Sequence, residues 1–162
     1  MIGPDLRQFL LIANDAELYG IGLPSVQEIR VYQPLTRLPN APAYVAGILN
    51  VGGRILPVID LRHRLWGHRT EPGPWHLIVV VKGEATQCGI LVDAASEIID
   101  FQQASIEEMS QQDKQASVFT GLAHLSNEAG EQSVAILDID VIANFSFENR
   151  GFGQPHEEIS YV

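Results

Sequence analysis

The chain has 162 residues, of which 46% are apolar and 19% charged, and its formal net charge is −10. That composition excludes a disordered or fibrous protein, and the length suits one domain with its own core. No apolar run approaches the roughly 18 residues that cross a bilayer as a helix, so direct membrane insertion is excluded. The charge is uneven: residues 1–83 hold eight Arg or Lys against six Asp or Glu, and residues 84–162 hold two against fourteen. Such a chain repels phosphate backbones, and no basic run with interleaved aromatics offsets this, so nucleic acid is not an expected partner. The single cysteine, Cys88, rules out a disulfide framework and a cysteine-based zinc site. Met1-Ile2-Gly3-Pro4-Asp5 lacks the basic-then-apolar pattern of a secretory signal, and the expected compartment is the cytoplasm.

Taken in chain order, the apolar segments are short and often β-branched. They are Phe9–Ile12, Gly47–Leu49, Ile55–Ile59, Leu77–Val81, Gly89–Val92 and Val134–Leu137, each bounded by Gly, Pro, Asn or Asp. Short strands at such spacing indicate an all-β barrel or sandwich. Asn50-Val51-Gly52-Gly53 and Gly83-Glu84 mark two hairpin turns. Alternation places Ile48, Leu49, Ile55, Val58, Ile90, Val92 and Ile136 in the core.

Three stretches are expected as short helices. Ser25-Val26-Gln27-Glu28 fits a capping box. Asp60-Leu61-Arg62-His63-Arg64-Leu65-Trp66 has Asp60 as N-cap and Gly67 as stop. Asp138–Phe145 carries apolar residues at 139, 142 and 145, with Asp138 as N-cap. Gly67 to Pro74 reads as an exposed loop between halves. One domain over 1–162 is expected, with its core at about 6–147 and a mobile tail at 148–162.

Nothing in the chain performs chemistry. There is no G-x-S-x-G, no Walker A loop and no G-x-G-x-x-G after a strand. His63, His68, His76, His124 and His156 lack a carboxylate–histidine pattern of known spacing and read as isolated surface residues, so no metal or other cofactor is expected. Asp138 and Asp140 point to different faces of a short helix, and Cys88 suits a small buried hydrophobe.

Read together, Gln27-Glu28-Ile29-Arg30, Leu38-Pro39-Asn40 through Asn50, Gly53-Arg54-Ile55-Leu56-Pro57-Val58-Ile59-Asp60-Leu61-Arg62, Cys88–Asp93, Thr120-Gly121-Leu122 and Ile136–Ile139 resemble the CheW family of chemotaxis adaptors. The resemblance runs from about Phe9 to Phe145. It implies two intertwined five-stranded SH3-like β-barrels with short helices. It also implies a non-enzymatic two-component adaptor that links a CheA-type histidine kinase to the cytoplasmic tips of chemoreceptors in membrane-associated arrays. By that resemblance Val26, Glu28, Ile29, Gly52, Arg54 and Arg62 are the candidate partner-binding residues. The family's turn is usually N-L-R-G, and here its arginine is Gly52, with Arg54 two residues on and on the same face. The departure points toward a divergent array, such as one controlling twitching through type IV pili, or toward a specialised second adaptor. The other reading is a small-molecule-sensing β-barrel with Trp66, Trp75 and His76 lining a pocket.

Overall fold

The computed structural model describes residues 6–84, 86–102, 106–108, 118–128 and 130–145. The expected tail at 148–162 lies outside the described residues. Eleven strands are described: β1 (Leu6–Asn14), β2 (Glu17–Gly22), β3 (Val26–Val31), β4 (Val45–Val51), β5 (Arg54–Asp60), β6 (Leu77–Lys82), β7 (Gln87–Val92), β8 (Ala94–Gln102), β9 (Ile106–Glu108), β10 (Phe119–Asn127) and β11 (Gly130–Leu137). Two short helices follow β5 and β11, α1 (Leu61–Trp66) and α2 (Ile139–Ile142).

The strands form two sheets, ordered β8-β1-β2-β11-β10-β9 and β3-β6-β7-β5-β4. These are the two SH3-like barrels, the first carrying the short β9 as a sixth strand. In the second, Thr36 bridges Ile48 through paired backbone hydrogen bonds of 3.1 and 2.8 Å, which ties the segment after β3 to β4. The barrels are intertwined because β3–β7 sit in sequence between the two pieces of the other sheet. The loop at 67–74 therefore connects elements of one barrel, β5–α1 and β6, and does not separate the halves as the sequence suggested. Most of it is exposed, but Thr70 is buried, donating from its hydroxyl and amide to Asp60 at 2.6 and 2.8 Å.

Each barrel repeats one plan. A hairpin (β1–β2, or β6–β7) places its second strand parallel to a strand that runs into an Asp-capped helix. Gly20 pairs with Ile136 in one barrel, and Gly89 pairs with Val58 in the other. Two residues later Asp138 accepts from the Val141 amide, and Asp60 from the His63 amide, both at 3.3 Å. Both caps agree with the sequence expectation, as does the left-handed stop at Gly67, φ 76°. Gly89 is required for close approach, since a Cβ there would lie 2.7 Å from Cγ2 of Ile78.

Three buried clusters explain the continuous apolar runs. Phe9, Leu11, Phe101 and Val134 fill the first barrel, and Leu49, Val58, Ile78 and Leu91 fill the second. A larger cluster lies between them, built from Leu10, Ile12 and Ile21 on one side and Ile59, Val79, Val81 and Ile90 on the other. Alternate residues of β1, β6 and β7 thus face either a barrel interior or the seam, so both faces are apolar. Each fully buried aliphatic side chain contributes about 1.5–3 kcal/mol.

Two core expectations need correction. Ile55 is 44% exposed, because it shares the outer face of β5 with Ile59 but lies beyond the reach of the other barrel. Ile48 is only half-buried, opposite Pro57 on that same outer face.

Candidate partner-binding surface

The surface is best built outward from β3. The expected helix at Ser25–Glu28 is absent; a single 3₁₀ turn, Leu23–Ser25, ends at an extended Val26 and carries no side-chain cap. A four-residue pattern cannot repay the cost of nucleating a helix, whereas the β-branched Val26, Ile29 and Val31 suit a strand paired with β6. A register shift between Val26 and Glu28 divides the roles of their side chains. Val26 packs onto the inter-barrel cluster. Glu28 is exposed and meets Arg30 at 3.2 Å. Ile29 is 45% and Val31 64% exposed; they stand opposite Val79 and Leu77, on the seam-facing side of the barrel but past the cover of the other one.

The hairpin between β4 and β5 supplies the next group. Gly52 (φ 58°) and Gly53 (φ 88°) form its tip, and the Asn50 side chain accepts from the Gly53 amide at 3.1 Å. Positive φ at both central residues is what a two-residue I′ turn demands, which accounts for the glycine pair. No atom lies within 4 Å of where a Gly52 Cβ would stand, so this tip projects freely. Arg54 then donates to Gln87 at 2.9 Å, and Gln87 donates to Gln27. That chain of amides connects Arg54 to the start of β3, beside Val26 and Glu28. Gln27, Val31 and Gln87 were not singled out in the sequence. Val31 was readable as the residue alternating with Ile29, but no local signal joins Gln87 to Arg54, 33 residues away.

Arg62 does not join this group. It lies on α1 and pairs with Asp15 of the β1–β2 turn at 3.0 Å. The tryptophan pocket also fails to form: Trp66 and Trp75 are 58% and 69% exposed, and Trp66 donates to the Tyr19 hydroxyl at 3.2 Å. His76 is not a surface residue as expected but buried, with Nδ1 accepting from the Gly73 amide and Nε2 bonded to Asp93. Cys88 is buried and its thiol is pushed up to about 12 by desolvation, with the Asp140 charge a smaller cause. Burial likewise raises the Tyr19 hydroxyl, against the opposing Trp66 bond. Among the described residues no group of three His, Cys, Asp or Glu could hold a metal ion, and no helix is long and apolar enough to cross a membrane.

The family model of the CheW-like domain matches residues 8–146, spanning both barrels. The chain belongs to the CheW-like domain family. It is 38% identical over 101 residues to the chemotaxis protein CheW of Rhizobium meliloti, covering 62% of this chain and 65% of that one. To the CheW of Klebsiella aerogenes it is 29% identical over 136 residues, covering 83% and 80%. The crystal structure of the scaffolding protein TtCheW from Thermoanaerobacter tengcongensis superposes with a TM-score of 0.69 at 25% identity, covering 83% of this chain and 86% of that one. The aligned stretch is thus a little under two thirds of the Rhizobium relative's length.

Proposed function

We propose that this CheW-like chain is a non-enzymatic adaptor that couples chemoreceptors to a CheA-type histidine kinase. The observation that carries the reading is the family match across both barrels, residues 8–146. An adaptor needs exposed recognition surfaces and no reactive cluster. The strip Ile29–Val31 beside the Glu28–Arg30 pair, with the Gly52 tip and Arg54 nearby along the amide chain, suits that need. Val26 would support this surface from beneath, and Arg62 would brace it at a distance. We assign chemotaxis as the output, the process named for the relatives. The type IV pilus output suggested by Gly52 has no residue contact in its favour.

Under this reading the chain works in the cytoplasm at receptor arrays. It works as one unit over about 6–147, since β1 and β2 complete a barrel begun by β8–β11. The test is a titration of the purified chain against the kinase's adaptor-like SH3 domain and against a receptor tip fragment. Saturable binding to both supports the adaptor; binding to neither overturns it.

A further inference from the structure

The second barrel has a cavity of about 520 Å³ between the β3–β4 connection, α1 and the loop that follows it. Its size falls within the range of about 300–1,000 Å³ typical of small-ligand sites. Leu35, Val45 and Leu91 contribute to an apolar wall, and Arg37, Arg69 and His63 are among the polar residues that line it. We infer that this cavity binds a small carboxylate with an apolar body, a role separate from the adaptor surface.

Charge and hydrogen bonding carry the argument. The one carboxylate in the lining, Asp60, is already committed, accepting from the His63 amide, the Thr70 amide and the Thr70 hydroxyl. Arg37 and Arg69 make no ion pair or side-chain hydrogen bond among the described residues. Two planar guanidinium groups over one cavity match a carboxylate, which each can hold through paired N–H donors. The His63 ring borders the same cavity, beside the two arginines. A bare phosphate would use the cations and waste the apolar wall, so an organic carboxylate fits better.

The experiment is an NMR titration of the full chain, following the Leu35 and Leu91 methyls and the His63 ring. The probe is 2-naphthoate, against 2-naphthalenemethanol and inorganic phosphate, each to about 10 mM. We expect saturable shifts at these three residues, with naphthoate binding at least about tenfold more tightly than either comparison compound. Arg37→Gln and Arg69→Gln, singly and together, should weaken it, the pair by about tenfold or more. Both side chains sit on exposed residues, so the melting temperature should hold. Absence of saturation, equal binding of the alcohol or of phosphate, or unchanged affinity in the arginine pair overturns the inference.

Discussion

The Arg62 guanidinium stands 3.0 Å from the Asp15 carboxylate, joining α1 of one barrel to the β1–β2 turn of the other. Asp140 holds the matching place on α2, two residues after the capping Asp138, as Arg62 is two after Asp60. It accepts from the Glu84 amide at 3.1 Å and the Thr86 hydroxyl at 3.2 Å, in the β6–β7 turn. The second residue after each cap therefore reaches across to the opposite hairpin. The same site carries a cation on one helix and an anion on the other, and each turn offers the complementary group.

That placement makes Arg62 a brace. Arg62→Ala and Asp15→Ala should each destabilise modestly, and the double variant should cost less than their sum. Both side chains are 39% exposed, so solvent screening limits the coupling to roughly 0.5 kcal/mol. Urea denaturation of the four proteins measures it. Partner affinity should change no more in Arg62→Ala than in Asp15→Ala; a selective loss in Arg62→Ala would return Arg62 to the contact surface.

The two faces of β5 separate in a second test. Val58 is wholly buried inside its barrel, and Val58→Asp should abolish cooperative melting, since an unpaired buried charge costs several kcal/mol. Ile55→Asp should melt cooperatively, because Ile55 is 44% exposed. Circular dichroism melts of both decide whether the outward face is assigned correctly.

Much of this plan was legible because local chemistry set it. Leu77–Val81 is a strand with two apolar faces, and Asp60 and Asp138 cap helices through their own chain neighbours. What escaped is set by distant partners. Ile55 and Ile59 share a face, but only Ile59 meets the other barrel, so alternation could not separate them. The pairs Val58–Gly89 and Gly20–Ile136 are parallel and remote, and only together do they reveal Val58-Ile59-Asp60-Leu61 and Ile136-Leu137-Asp138-Ile139 as two copies of one motif. Glu28 was mistaken for a cap because a capping box uses residue types also common in strands and turns.

Cys88 makes stability fall at alkaline pH. Its thiol ionises near 9 in an unfolded chain and at about 12 when folded. Between these values the unfolded state holds fewer protons, so stability falls as pH rises, by up to about 1.4 kcal/mol per pH unit. Tyr19, also raised by burial, adds to the fall at its upper end. The stability gap between wild type and Cys88→Ala should therefore narrow from about pH 8 to about pH 10.5. A constant gap would mean that the thiol titrates normally in the fold.

Glu28 is exposed and caps nothing, so Glu28→Lys should alter folding stability by about 0.5 kcal/mol or less. It breaks the pair with Arg30 and places two cations side by side on β3. If this strand meets a partner, affinity for the kinase domain or the receptor tip should fall about tenfold, equivalent to 1.4 kcal/mol, largely through the charge reversal. Calorimetric titration beside a thermal melt separates the two effects. Wild-type affinity for both partners would remove Glu28 from the surface.

Gly52 gives the sharpest test, because backbone and charge can be separated there. Its φ of 58° is left-handed, so any residue with a Cβ except Asn or Asp should cost about 1 kcal/mol, although the space around the tip is open. Gly52→Ala and Gly52→Arg share that cost and should melt alike, and Gly52→Asn should lie closer to wild type. Only the arginine variant restores the cation that the family usually carries in this turn, next to Arg54. If the tip contacts the kinase or the receptor, Gly52→Arg should bind more tightly than Gly52→Ala, and the difference isolates the charge from the strain. Equal binding of Gly52→Ala and Gly52→Arg to both the kinase domain and the receptor tip would remove the hairpin tip from the contact surface and leave β3 to carry recognition.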